Sequence, residues 1–288
     1  MLNLIVAPKN HNFKAEKFTK KIVKFLKTNN VEYSVYFSVN YTDVTDSVKE
    51  LYALGETEFV IVGDDIIINE FLNSLKDLNK IKLGIIPTNK NDDFAKYLEL
   101  ETDPILAIKQ ILKKKITEID LMLVNEKRVI NNLIIGAGVE VEEQFSQFKW
   151  KSIFTKEYAK RKVNNSYTGQ ELTISSKNNK AKTINVYELV VANGGNSKGK
   201  PVSPLSNVKD GLLNLLYVEA TQDKTNSKTF KLFEKGNHIY EEQTTQLWLP
   251  DLKITSADKK IKALIDGRIY NFDKLDITVV ENGIKLYK

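Results

Sequence analysis

Cysteine is absent from the 288-residue chain, and histidine occurs only twice, at His11 and His238. The first absence excludes disulfides, thiolate nucleophiles and cysteine-based zinc sites. The second leaves too few imidazoles for a histidine-rich metal site, and neither histidine has another at i+3 or i+4. His238, in "KLFEKGNHIYEE", reads as a turn or strand-end residue rather than a base. The sequence also lacks any run of about 18 apolar residues, the length a membrane helix needs. The start "MLNLIVAPKN" passes from a short apolar run into proline and polar residues with neither a basic leader nor a cleavage site. The expectation is an unprocessed cytoplasmic protein.

What is present suits a globular chain of one large or two ordinary domains: 42% of residues are hydrophobic and 28% charged. The net charge of +6 suits contact with anionic lipid or nucleotide. Nucleic acid ranks last, because no basic-plus-aromatic recognition module is visible. The cations cluster in "KQILKKK" and "FKWKSIFTKEYAKRK". The second cluster interleaves Phe148, Trp150, Ile153, Phe154 and Tyr158 with Lys149, Lys151, Lys156, Lys160, Arg161 and Lys162. Such a segment reads either as a helix at a bilayer interface or as a helix packed on its own domain with the aromatics in the core. Aromatic residues at helical spacing favour the core.

The first part of the chain alternates strand and helix patterns. "NLIVAP" is a strand; "KAEKFTKKIVKFLKTNN" places Phe18, Ile22, Phe25 and Leu26 on one helical face. "EYSVYFS", "EFVIV" and "KLGIIP" are further strands, with helices in "VTDSVKELYAL" and "NEFLNSLK" between them. Asp103 and Pro104 open the helix "DPILAIKQILKKK" as cap and first residue. From about Ile116 the text becomes strand-like, and Asn282-Gly283 carries a hairpin-turn signal. The expected fold is a mostly parallel α/β domain, residues 1–124, followed by an antiparallel β-sandwich, residues 125–276. The last strand, about 277–288, is a candidate to return to the first domain.

In "FVIVGDDIIINEFLNSL" a buried strand runs toward a helix through what reads as a loop. "GDDIIINE" resembles the GGDGT loop and Asn-Glu helix of the diacylglycerol kinase catalytic family, soluble bacterial lipid kinases related to sphingosine kinases and, more distantly, NAD kinases. Gly63, Asp65, Asn69 and Glu70 match. "PTNKNDDFA" resembles that family's proline followed by GTGNDFA, with Pro87, Asp93, Phe94 and Ala95 in place. Asp120 in "EIDLMLVN", Asn131, Gly136 and Glu140 in "NNLIIGAGVEVE", the "VANGGNSKGKPVSPLSNVKDGLL" run, and Asp266-Gly267 in "LIDGRIY" complete the order. Any single match is weak; six in the family's order are specific.

The resemblance implies an NAD-kinase-like α/β fold with a β-sandwich, ATP and Mg²⁺ as cofactors, and phosphorylation of a lipid hydroxyl such as that of diacylglycerol. It places Asp65, Asp93, Asp120 and Asp266 in a shared acidic site, and Gly63, Asp64, Ile67, Asn69, Glu70, Asn89, Lys90 and Asp92 around the nucleotide. A separate structural Mg²⁺ is implied at Asp210, with carbonyls of Asn207 and Leu212. Peripheral contact with the inner membrane face and a homodimer stand as open options. Read singly, Asp65 and Asp93 fit helix caps, Asp120 a strand end, and Asp210 and Asp266 tight turns.

The departures carry their own physics. Asp64, Ile66 and Ile67 replace glycines and threonine; β-branched Ile66 enters a positive-φ loop only with strain, and Asp64 brings negative charge toward a triphosphate. Asn89 and Asn91 stand for glycines in the second loop, where Lys90 adds a compensating cation. Arg268 replaces the glutamate that resembles a general base and cannot accept a proton, leaving Asp266 for that role or none. The two expectations are a lipid kinase of weak or lost activity, and a pseudokinase that binds lipid or nucleotide.

Overall fold

A computed structural model of the chain describes residues 1–8, 13–89, 92–197, 199–221, 232, 235–257 and 260–288. His11, Lys90 and Asn91 lie outside the described residues. The chain divides into two units, Met1–Leu121 with Val280–Lys288, and Met122–Val279.

The first unit runs β1 (Leu2–Val6), α1 (Phe13–Thr28), β2 (Tyr33–Phe37), α2 (Tyr41–Ala53), β3 (Glu58–Gly63), α3 (Asp65–Ser74), β4 (Lys82–Pro87), α4 (Asp93–Tyr97) and α5 (Pro104–Leu112), leading into β5 (Ile116–Val124). The strands pair in parallel in the order β2-β1-β3-β4. β1 is buried along its whole length and β3 along all but its first residue, as strands covered by helices on both faces must be. α1 turns Ala15, Thr19, Ile22 and Leu26 inward. The seam thus sits to one side of the expected phenylalanines, and Lys109 lies over the ring of Phe25 at 5.6 Å. Asp103 caps α5 as its sequence suggests, accepting the N–H groups of Ile105 and Leu106.

The second unit takes up the end of β5 and continues through β6 (Lys127–Val129), β7 (Asn132–Gly136), α6 (Ala137–Ser146), α7 (Ile153–Ser166), β8 (Gln170–Ser176), β9 (Asn179–Ala192), β10 (Asn196–Ser197), β11 (Lys200–Pro201) and β12 (Leu213–Glu219). A 3-10 turn at Asn237–Tyr240 precedes β13 (Thr244–Leu249), β14 (Asp251–Thr255), β15 (Ile261–Ile265), β16 (Arg268–Phe272) and the first part of β17 (Lys274–Tyr287). Its pairings are antiparallel; β9 pairs first with β8, then with β7 and β12. By serving several neighbours, β9 closes a sandwich around Leu133, Leu172, Val186, Leu189, Leu215, Leu252 and Ile254.

Three expectations change. The strand-like text after Ile116 is interrupted by an unexpected helix, α6, which packs on α7, the segment already read as a helix; Ala137, Val141, Ala159 and Val163 form a small core with Tyr187. Because these seats are filled by small side chains, the aromatics of the neighbouring segment face outward. Trp150 is 86%, Ile153 81%, Phe154 87% and Tyr158 60% exposed, so the core reading of that segment is corrected; Phe148 alone packs inward. Asn282-Gly283 forms no hairpin: β17 runs straight through it, with Asn282 at φ 50° inside the strand. The two halves of β17 pair with other strands, 274–278 with β14 and Lys285–Leu286 with β4, and the Asn282 N–H donates to the carboxylate of Asp120 at 2.9 Å. His238 takes the turn of its two sequence readings: it is wholly buried in the 3-10 turn, with Nε2 2.9 Å from the Val202 carbonyl oxygen, and burial lowers its pKa.

Candidate functional site

The expected loop before α3 does not exist. β3 ends at Gly63 and α3 begins at Asp65, leaving Asp64 as the single residue between them. Asp64 is extended, with φ −113° and ψ −179°, and caps the helix: Oδ1 accepts the N–H of Ile66 and of Ile67, each at 3.2 Å. The Tyr41 hydroxyl donates to Oδ2 at 3.3 Å. Ile66 and Ile67 therefore lie in an ordinary helical turn, and the strain expected of Ile66 does not arise. Ile67 is fully buried, and its Cγ2 would stand 2.5 Å from a Cβ added at Gly63. That close approach is why position 63 is glycine.

The adjoining helix is held by the next acid, Asp65. Asp65 Oδ2 accepts the N–H of Asp93 at 2.9 Å and of Phe94 at 3.2 Å, closing the start of the five-residue α4. Asp92 occupies the cap position of α4 without a capping bond of its own. Burial first, then Asp64 and Asp93, push the Asp92 carboxyl up to about 7, against the opposing pull of the Asn89 N–H and Lys14. Asn89 is exposed and its carbonyl accepts the Asp92 N–H at 3.1 Å. Asn69 is buried one turn into α3, where Asn73 Nδ2 donates to it, and Glu70 beside it is half-buried. Asp64, Asp65, Asp92 and Asp93 thus come together at the carboxyl ends of β3 and β4, where parallel α/β sheets take their ligands.

Asp120 is buried in the middle of β5 rather than at a strand end, holding Asn282 as described. Asp266 belongs to the second unit. Its Oδ2 accepts the Ile130 N–H at 2.9 Å, and its Oδ1 those of Asn131 at 3.0 Å and Asn132 at 3.2 Å. With Gly267 it forms the tight turn between β15 and β16, at φ 43° and 85°. The Asn131 carbonyl in turn accepts the N–H of Asn193 and of Gly194. Three motifs far apart in sequence, at 130–132, 193–194 and 266–267, are thereby tied into one backbone knot. Arg268 opens β16.

Asn207 and Asp210 each close a local turn, accepting the N–H of Lys209 at 3.1 Å and of Leu212 at 3.0 Å. Both are exposed. Among the described residues no group of three or more His, Cys, Asp or Glu side chains is placed to hold a metal ion. Asp210 Oδ1 is thus engaged in its own turn.

Tyr41 and Glu188 escaped the sequence reading. Tyr41 opens α2 and reaches Asp64 only through the fold, which no local signal announces. Glu188, a lone acid in the apolar run of β9, is fully buried; burial raises it to about 8, against the Gly138 N–H that donates to Oε2 at 2.8 Å. Gly136 lets this approach happen: it sits at φ 118°, where a Cβ would meet the Tyr187 carbonyl oxygen at 2.3 Å.

Chemically, the amides at the start of α3 point at an anion, and the anion is the protein's own Asp64. A phosphate brought there would displace that cap and face Asp65, Asp92 and Asp93 as well.

The model of the diacylglycerol kinase catalytic domain matches residues 1–124, and that of the YegS C-terminal NAD kinase beta sandwich-like domain matches residues 133–285. Two Staphylococcus aureus proteins named "Putative lipid kinase", of strains Mu3 and Newman, are 25% identical to this chain over 275 and 276 residues, covering 88% of it and 85% of themselves. A diacylglycerol kinase crystal structure from Bacillus anthracis str. Sterne superposes with a TM-score of 0.75 at 18% identity, over 99% of this chain and 96% of that one. An NAD kinase from Archaeoglobus fulgidus in complex with ATP gives 0.55 at 12% identity, over 100% and 94%. At these identities the structural likeness speaks to the fold alone.

Proposed function

The chain belongs to the diacylglycerol kinase catalytic-domain family with its YegS-type C-terminal sandwich, and from that premise we propose that it is a pseudokinase. In this reading it keeps the family's scaffold and its lipid ligand, an alcohol such as diacylglycerol, and has lost ATP-dependent transfer to the lipid hydroxyl. The observation that carries the reading is the Asp64 cap: one carboxylate oxygen takes the two N–H groups that a phosphate at the α3 N-terminus would need. Three further features point the same way. Asp64, Asp65 and Asp93 gather negative charge where a triphosphate would add more, and burial, together with Asp64 and Asp93, holds the Asp92 carboxyl up at about 7. Asp266 already accepts three backbone N–H groups, which suits an anchor better than a base. Arg268 stands where the resemblance calls for glutamate.

An active ATP-dependent lipid kinase is the second reading, and what favours it is the survival of Asp65, Asp93, Asp120 and Asp266 together. Calorimetric titration with Mg-ATP, run beside transfer of labelled phosphate to diacylglycerol in mixed micelles, separates the two. The pseudokinase predicts no labelled lipid above the protein-free background. Turnover abolished by Asp266→Asn would overturn it in favour of the kinase.

A further inference from the structure

Lysine stands in the core-facing row of the β8–β9 hairpin. Side chains alternate across a strand, and Leu172 and Ile174 of β8 and Ile184 and Val186 of β9 all turn into the sandwich core. The same alternation, followed back toward the start of β9, arrives at Lys182 and Lys180, and Lys182 pairs with Ile174 across the hairpin. The opposite row holds Thr173 and Thr183, whose hydroxyls meet on the solvent side at 2.9 Å. An apolar inner row that ends in lysine breaks the pattern that a sealed core would keep.

The core is open at that point. A cavity of about 220 Å³ is walled by Ile174, Leu215, Leu247, Leu249 and Leu252, with Ser176, Lys180 and Lys182 on the hairpin side. All five apolar walls belong to or pack against the main core of the sandwich. Ser176 Oγ is buried and has no hydrogen-bond partner, a cost that a ligand oxygen would remove. Lys182 Nζ lies 5.5 Å from the centre of the Tyr217 ring and donates to its hydroxyl at 3.4 Å and to Glu219 at 2.8 Å. Lys177, in the turn of the hairpin, stands 3.9 Å from Asp251. Lys180 is exposed and pairs with no acid among the described residues. The lysines at the mouth therefore outnumber the carboxylates by one, and the surplus charge sits at the end of an apolar recess.

We propose that this cavity binds a medium-chain fatty acid, its alkyl chain against Leu215, Leu247 and Leu252 and its carboxylate at Lys180, Lys182 and the Ser176 hydroxyl. The cations select an anionic head, since a neutral diacylglycerol offers them no charge. A volume below that of the usual ligand pockets, about 300 Å³ upward, suits one chain rather than two. Every residue of the site belongs to the second unit, and none of Asp64, Asp65, Asp92 and Asp93 takes part. The inference is thus independent of whether the chain transfers phosphate.

The test uses the full chain, without nucleotide, and decanoate as the probe, kept below the concentration at which it forms micelles. Calorimetry should show one saturable decanoate site per chain. Affinity should fall about fourfold for each methylene removed on the way to hexanoate. Decanol, which keeps the chain and loses the charge, should bind about tenfold more weakly or worse. Lys180→Gln/Lys182→Gln should lower decanoate affinity by about tenfold or more with the melting temperature kept, since both lysines are exposed. Absent or unsaturable binding overturns the proposal, as does decanol binding as tightly as decanoate, or a lysine variant that binds like wild type. Hexanoate binding as tightly as decanoate also overturns it, because the recess would then play no part. So does dioctanoylglycerol displacing decanoate with equal or higher affinity, which would make a neutral lipid the occupant.

Discussion

Asp65 Oδ2 accepts the backbone N–H of Asp93 at 2.9 Å, so a carboxylate in the first turn of α3 closes the N-terminus of α4. An acid that the family resemblance gives to the reaction site thus has a structural task. Asp65→Ala should lower stability by about 1–2 kcal/mol, because it strips the cap from α4. Asp65→Asn, which keeps an acceptor oxygen, should cost less. Urea unfolding of both variants checks the order, and equal losses would show that the bond to Asp93 does not matter.

Asp64→Gly tests the occupied helix end. Glycine is a tolerable cap, so the stability loss should stay within about 1 kcal/mol. Freeing the Ile66 and Ile67 N–H groups and removing one negative charge should raise affinity for Mg-ATP by about tenfold, read by calorimetry. Adding Ile66→Gly and Arg268→Glu should then bring measurable phosphate transfer to lipid. A stable triple variant without either gain would place the loss of activity elsewhere.

Glu188 makes stability depend on pH. In the native chain burial holds its carboxyl near 8, whereas its ordinary value is 4.5. Between those values the unfolded chain has released a proton that the native chain retains, so stability falls as pH rises from about 4.5 to 8 and levels off above. The slope is about 1.4 kcal/mol per pH unit at most. Glu188→Gln keeps an acceptor for the Gly138 N–H and removes the titration. Its melting temperature, relative to wild type, should therefore climb from pH 5 to pH 8; a constant difference would rule the assignment out.

Asp266→Ala should cost about 3 kcal/mol, because it leaves the N–H groups of Ile130, Asn131 and Asn132 without their shared acceptor. Asp266→Asn retains one acceptor oxygen and tolerates the positive φ of this turn, so most of the stability should return. If any phosphate transfer is detectable in wild type, its loss in the folded Asp266→Asn protein would mark a role beyond anchoring.

Much of the architecture could be read in the sequence because its signals are local. The apolar runs of β1, β3 and β4, and the Asp103-Pro104 start of α5, are set by burial and capping within a few residues. The outward face of α7 was misjudged because helical spacing says which residues share a face, not which face is buried. Ala159 and Val163, small and easily overlooked, decide it by allowing close packing. The Asn282-Gly283 signal failed for a related reason: β14 and β4, distant in sequence, pair with the two halves of β17 and keep them from folding back on each other. At the candidate site the acidic residue types were legible and their engagements were not. Asp64 looked like an intruder in a phosphate loop, and only the observed helix start makes it a cap. Tyr41 carried no local signal.

The division of the chain into Met1–Leu121 with Val280–Lys288 around Met122–Val279 has a consequence for synthesis. β4 pairs in parallel with the end of β17, Lys82 beside Lys285 and Leu83 beside Leu286. Made in order from the N-terminus, the first unit must wait for its closing strand until the whole sandwich has been translated. Until then β4 stands as an open sheet edge, the kind of surface on which nascent chains pair wrongly. The sandwich is continuous in sequence and is under no such delay, so the part of the molecule that starts first is completed last.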